Sequence, residues 1–199
     1  MSVKKQETIT SDARNGGNQE RGFTMWELAI VCVLLMIISA MAMVQLHPAI
    51  QQREADAAMD EVASQLRQAR ELAISTRRQI QVQFVGTNQI ILNRLNINPA
   101  VVGGVFIQAP MKFQLTAGKG DTPDAFGNAG AIEFEGIVGG PPTMMFQSDG
   151  TFVDTAGNLI NGTVFLGMPN EPSAARAVTL VGSTGRIRMW RNNAAAWVQ

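Results

Sequence analysis

Few side chains in this sequence are able to do covalent chemistry. There is one histidine, His47, and one cysteine, Cys32. A Ser-His-Asp or Cys-His arrangement needs a base beside its nucleophile, and here it would hang on His47 alone, with Cys32 inside an apolar run. His47 has no second ligand near it in sequence and reads as a polar residue at the edge of that run. Cys32 reads as a small buried apolar residue and, as the lone cysteine, forms no intramolecular disulfide. Glu133 and Glu135 share one strand face and read as solvated acids. Asp149, Asp154 and Asn158 offer oxygen ligands, but their spacing departs from the calcium-loop pattern, and Ser148-Asp149-Gly150 is a turn signal. No glycine-rich stretch has the phosphate-cradling spacing, and Met144-Met145-Phe146 reads as core. No enzyme activity, cofactor or metal is expected.

Two constellations survive. The first is carboxyl-terminal: Ala177-Val-Thr-Leu-Val-Gly-Ser-Thr-Gly-Arg-Ile-Arg-Met-Trp-Arg191. It reads as a hairpin turning through Gly182-Ser183-Thr184-Gly185. Arg186 and Arg188 share one face of the second strand, and Ile187 and Met189 the other. Two residues along a strand span roughly 6.6 Å, close to the phosphate spacing of an extended nucleic-acid backbone. Trp190 falls on the arginine face, where stacking on a base is expected, and Arg176 and Arg191 add charge nearby. The competing reading is a solvated edge strand whose positive charges discourage aggregation.

The second constellation is Glu27 at the entrance of an uncharged run. From Leu28 to Leu46 nothing is charged, and only Ser39 and Gln45 are strongly polar. That is about the 20 apolar residues a helix needs to cross a bilayer core of roughly 30 Å. A carboxylate carried into lipid costs about 2.5–3.5 kcal/mol at the centre, so Glu27 needs a partner or a shallow position. A secretory signal has a shorter apolar region and a cleavage site after it. A lipoprotein signal lacks support in Ala29-Ile30-Val31-Cys32. A plain single-span anchor explains the hydrophobicity but not Gly22 directly before Phe23, nor Glu27 four residues beyond.

The elements that position these groups follow from periodicity. Pro48 removes a backbone donor and predicts a bend in one long helix. Beyond it, Ala55, Met59, Val62, Leu66, Ala69 and Ala73 form a narrow apolar stripe. Past residue 78 the period becomes two: Ile80, Val82 and Phe84 share a face, and Gly86-Thr87-Asn88 is a turn before 89–95. Further short strands are expected at 105–108, 111–115, 131–135, 143–147, 151–153, 163–168 and 176–181, with a loop over 117–130. One long helix followed by many short strands is an α+β pattern, the helix lying on antiparallel sheet.

Gly22-Phe23-Thr24-Met25-Trp26-Glu27-Leu28 resembles the class III signal of type IV pilins and type II secretion pseudopilins. Leu66-Arg67-Gln68-Ala69-Arg70-Glu71-Leu72-Ala73-Ile74 leading into a strand, with Phe146-Gln147-Ser148-Asp149-Gly150 in mid-domain, resembles the GspH/FimT branch of that family. The resemblance implies a type IV pilin-like fold and a leader, residues 1–22, cut after Gly22 by prepilin peptidase. It implies N-methylation of Phe23, a transmembrane and filament-core helix over 23–46, and an extracytoplasmic domain over 47–199. Glu27 would set assembly register by pairing with the amino terminus of a neighbouring subunit. Gly185-Arg186-Ile187-Arg188 is similar to the Gly-Arg-x-Arg motif of FimT-like minor pilins implicated in DNA capture during natural transformation. The partners implied are prepilin peptidase, other pilins or pseudopilins, an inner-membrane assembly platform and DNA. The role implied is an assembly-initiating minor pilin, with a type II secretion pseudopilin as the alternative.

Composition sets bounds. The chain has 199 residues, of which 46% are hydrophobic, enough beyond the apolar run for one domain with a core. Its formal net charge of +0 argues against general polyanion binding by the whole molecule. Lys4, Lys5, Arg14 and Arg21 precede the run and favour an amino terminus kept in the cytoplasm, with the domain outside the inner membrane.

Overall fold

Thr24 begins the only helix among the described residues. The Glu27 amide donates to Thr24 Oγ1 at 3.2 Å, and the Leu28 amide to the Thr24 carbonyl at 3.1 Å. Thr-x-x-Glu at a helix start satisfies amides that lack intrahelical acceptors. The helix, α1 (Met25–Thr76), runs for 52 residues with Pro48 inside it. The helix is uninterrupted at Pro48.

The computed structural model describes residues 23–95, 99–135, 143–193 and 196–199, with the side chains of 44–47 and 143 outside that description. Gly22, the expected leader and the His47 side chain therefore lie outside the described residues. The chain divides into two units, Met1–Val44 and Gln45–Gln199.

In the first unit every described side chain from Phe23 to Met43 is exposed. Ser39 Oγ donates to the Leu35 carbonyl at 2.7 Å, so the polar group within the apolar stretch is satisfied by its own helix. Here is one helix long and apolar enough to cross a membrane.

In the second unit, eleven strands follow the helix among the described residues: β1 (Ile80–Val85), β2 (Gln89–Arg94), β3 (Ala100–Phe106), β4 (Lys112–Phe113), β5 (Ile132–Phe134), β6 (Thr143–Phe146), β7 (Phe152–Val153), β8 (Gly162–Met168), β9 (Glu171–Val181), β10 (Arg186–Asn192) and β11 (Trp197–Val198). They form two sheets, ordered β3-β2-β1-β6-β7 and β11-β10-β9-β8-β4, with β5 also on β8; every strand pair is antiparallel. The architecture is thus α+β, one long helix packed on antiparallel sheets.

The predicted stripe is the buried one. Ala55, Met59, Val62, Leu66, Ala69 and Ala73 are at most 2% exposed and share one core with Val82 and Phe84 of the first sheet and Leu166 and Val178 of the second. Four of these positions are small, counting Val62, which lets the strands approach the helix axis closely. Phe84, Phe134, Phe152 and Phe146 continue the core as a chain of ring contacts, 4.8 to 6.1 Å between centroids. The second sheet has a core on its other face too, made by Phe165, Ala175, Ala177, Trp190 and Trp197. The segment after β4 covers that face: Trp197 Nε1 donates to the Lys119 and Gly120 carbonyls at 3.2 and 3.4 Å.

Three strand expectations change. β3 starts at Ala100 and runs through Gly103-Gly104, which the sequence alone presents as its lead-in. β9 starts at Glu171 instead of 176, because Ala174 and Ala175 are buried on opposite faces and leave no alternation to read. β11 has no counterpart among the expected strands; it is two residues long and held by pairing with Arg191 and Asn192.

Candidate functional site

The carboxyl-terminal hairpin has the expected form. Arg186 pairs with Val181, Arg188 with Thr179, Trp190 with Ala177 and Arg191 with Arg176. The turn closes where the Gly185 amide donates to the Val181 carbonyl at 2.8 Å. Gly185 has φ 61°, a region only glycine enters freely. A Cβ there would also collide with the Gly150 carbonyl and the Arg70 side chain. The Gly185 turn and the Asp149-Gly150 turn therefore meet over Arg70, whose Nε donates to the Gly150 carbonyl at 3.3 Å.

The structure separates the arginines that the sequence grouped. Arg176 is 4% exposed. Its Nε donates to Asp56 Oδ1 of α1 at 2.7 Å, and its Nη1 to the Ser173 and Ala175 carbonyls at 3.1 and 2.9 Å. Arg191, its cross-strand partner, reaches the same Asp56 oxygen at 3.1 Å. Both thus clamp the sheet to the helix. Arg188 and Trp190 do lie on one face, as the alternation predicts, but a loop covers that face. Arg188 pairs with Asp124, Thr179 Oγ1 donates to the same carboxylate, and Trp190 Nε1 donates to Thr179 Oγ1 at 2.9 Å. Trp190 is 8% exposed, so its ring fills the outer core and does not offer a base-stacking surface.

Arg186 alone of the strand's arginines faces outward without a carboxylate. It lines a cleft of about 230 Å³ together with Arg67, Arg70, Glu71, Gly185 and Ile187. Among the described residues, no ion pair neutralises Arg67, Arg70 or Arg186. In the sequence Arg67 and Arg70 stand outside the apolar stripe, with nothing to single them out as a site. Their three-residue spacing, which stacks them on one flank, is the signal available.

Glu27 is exposed in the first helical turn, where a carboxylate interacts favourably with the helix dipole. Phe23, two residues before the helix, is 79% exposed. Cys32 is a free, exposed thiol, because the apolar stretch around it has no cover within its own unit. Asp149 accepts the Thr151 amide and hydroxyl at 2.9 and 2.6 Å. Those bonds, the hydroxyl's first, hold its carboxyl below the usual aspartate range. Asp154 is lowered similarly by Asn158, whose side chain and amide donate to it at 3.0 and 2.8 Å. Both are closed turns with their own donors. Among the described residues, no group of three or more His, Cys, Asp or Glu side chains is placed to hold a metal ion.

No family model matches the chain, and no curated protein does. Among solved structures, the chain is similar to the type IV minor pilin FimU of Pseudomonas aeruginosa (strain PAO1), with 16% identity and a TM-score of 0.48 over 74% of this chain and 95% of that one. A second crystal form of FimU gives 15% and 0.46 over 72% and 97%. The minor pseudopilin EpsH of the type 2 secretion system of Vibrio cholerae gives 13% and 0.46 over 69% and 97%.

Proposed function

We propose that this chain is a type IV pilin-like minor subunit whose mechanism is assembly. The observation that carries the reading is the stretch from Leu28 to Met43, helical, uncharged and exposed along its whole length, with Glu27 at its head. Such a surface needs lipid or other apolar helices around it. Prepilin peptidase cuts after Gly22 and the new amino terminus of Phe23 is methylated. Residues 23–46 hold the subunit in the inner membrane, amino terminus inward and domain outward. The assembly platform then extracts it into a filament of pilins or pseudopilins. There the Glu27 carboxylate meets the amine of a neighbouring subunit, which relieves the cost of an unpaired buried charge. The subunit helps to start the filament; service as a pseudopilin in type II secretion uses the same steps.

A second reading adds DNA uptake. It is favoured by Arg186 with Arg67 and Arg70, three guanidinium groups around one cleft with no carboxylate partner among the described residues. Backbone contact without sequence preference is the form such a cleft supports.

The deciding experiment is co-expression with prepilin peptidase followed by intact mass. A product beginning at methylated Phe23, lost in Gly22→Val, supports the reading; an uncleaved chain under conditions that process a control prepilin overturns it.

A further inference from the structure

The arginine cleft has a counterpart on the opposite flank of the same helix. Glu54, Ala57, Ala58 and Glu61 of α1, with Gln108 and Ala109 from the segment after β3, line a groove of about 260 Å³. Glu54 and Glu61 lie about two turns apart on one azimuth. Among the described residues neither has a cation partner. The buried stripe runs between the two flanks: with about 100° per residue, the glutamates sit to one side of it and Arg67 and Arg70 to the other, roughly 160° away around the axis. The midpoints of the two pairs are about 16 Å apart along the helix. Each site carries an excess of two charges, of opposite sign, once Glu71 is set against the three arginines.

Two complementary surfaces on opposite flanks, displaced along the axis, are the requirement for a head-to-tail contact that continues into a helical array instead of closing. We propose that the occupant of the arginine cleft is the Glu54/Glu61 groove of a second copy of this chain, shifted about 16 Å toward the carboxyl end of the helix. This inference rests on the filament-subunit reading and deepens it: copies enter side by side in a run. Each cleft in the run is filled by the next copy, except in the last copy, whose Arg67, Arg70 and Arg186 stay open to a polyanion. Small Ala57 and Ala58 between the glutamates leave room for guanidinium groups to enter.

The test uses the full chain with Cys32→Ser, co-expressed with prepilin peptidase and kept in membranes. Two forms of the chain, one with Glu54→Cys and one with Arg67→Cys, which that shift brings to about 3 Å of each other along the axis, are co-expressed in one cell and oxidised. The expected result is a heterodimeric disulfide between the two introduced thiols, reduced roughly tenfold by Arg186→Glu in the Arg67→Cys form or by Glu61→Arg in the Glu54→Cys form and restored when both are present. Arg70 is spared because it also bonds the Gly150 carbonyl. Intact mass on the same sample reports cleavage after Gly22. A processed chain that gives no crosslink, or one insensitive to both charge reversals, overturns this contact and leaves the pilin reading standing; an unprocessed chain overturns that reading instead. Crosslinks absent while added duplex DNA protects the thiol of the Arg67→Cys chain from a thiol reagent overturn the contact in favour of nucleic acid. Restoration by the paired reversal excludes misfolding as the cause of loss in either single variant.

Discussion

Arg188 and Asp124 are ion-paired on the outer face of the second sheet, and Thr179 and Trp190 extend the pair into a closed network. Two neighbouring arginines of one motif therefore do different work: Arg186 is exposed, whereas Arg188 fastens the loop around Asp124 over Trp190 and Trp197. Asp124 is the less exposed partner at 8%, against 29% for Arg188. Removing either leaves a polar group without its partner. Arg188→Ala and Asp124→Ala are each expected to destabilise the domain by about 1–3 kcal/mol in denaturant titration, as for a hydrogen bond to a charged group. A double-mutant cycle should show the two losses to be shared. Additive losses would mean that the pair is not coupled.

Asp56 is the next test, because it accepts from both Arg176 and Arg191. The Arg176 side chain is 5% exposed and that of Arg191 54%, so the partners are not equivalent. Asp56→Ala leaves a buried guanidinium without its carboxylate and should cost about 3–5 kcal/mol. Arg191→Ala removes an exposed member and should cost about 0–1 kcal/mol. Equal losses on thermal melting would contradict the division of roles.

Acid should affect the Asp149 turn in a defined direction. Its folded-state pKa is lowered by the Thr151 hydroxyl and amide. The stabilisation is therefore fully present above the ordinary aspartate value and is lost as pH falls through the lowered folded value. A carboxyl-detected titration should place Asp149 below an unstructured aspartate, and Thr151→Val should move it up. A midpoint unchanged by that substitution would remove the hydroxyl as the cause.

How far these relationships can be read from sequence depends on their range along the chain. The stripe from Ala55 to Ala73 and the alternation of Ile80, Val82 and Phe84 are local, and periodicity alone places them on buried faces. The hairpin turn at 182–185 is legible from its glycines. The partners of Arg176 and Arg188 are not, since Asp56 and Asp124 lie 120 and 64 residues away. Alternation correctly puts Trp190 beside Arg188 on one face but says nothing of whether a distant loop covers it. Strand β9 reads short in the sequence because both its faces are buried along Ala174–Leu180, which erases the period-two signal.

On the filament-subunit reading proposed above, Glu27 separates anchoring from assembly. In a subunit alone in the bilayer its carboxylate is a burden, up to about 2.5–3.5 kcal/mol if carried to the centre. Glu27→Ala should therefore insert at least as well as the parent and still be cleaved after Gly22. In the proposed filament the same change removes the partner assigned to a neighbouring amine, so incorporation should fall sharply. Membrane fractionation and sheared-filament blots measure the two properties separately. Normal incorporation of Glu27→Ala would leave the residue an exposed acid in the first helical turn and nothing more.

DNA retention distinguishes the two arginines of the motif. Arg186 lines the open cleft with Arg67 and Arg70, whereas Arg188 is held by Asp124. Loss of a phosphate contact lowers affinity at every sequence and reduces the salt slope by about one per contact. Arg186→Ala and Arg67→Ala should each do this in the full-length protein in detergent, measured by filter retention at two salt concentrations. Arg188→Ala should weaken retention only as far as it loosens the Asp124 loop, leaving the salt slope unchanged. If Arg188→Ala instead reduces the slope while Arg67→Ala does not, the nucleic acid runs along the strand, Asp124 is displaced on binding, and the cleft is left to the neighbouring subunit alone.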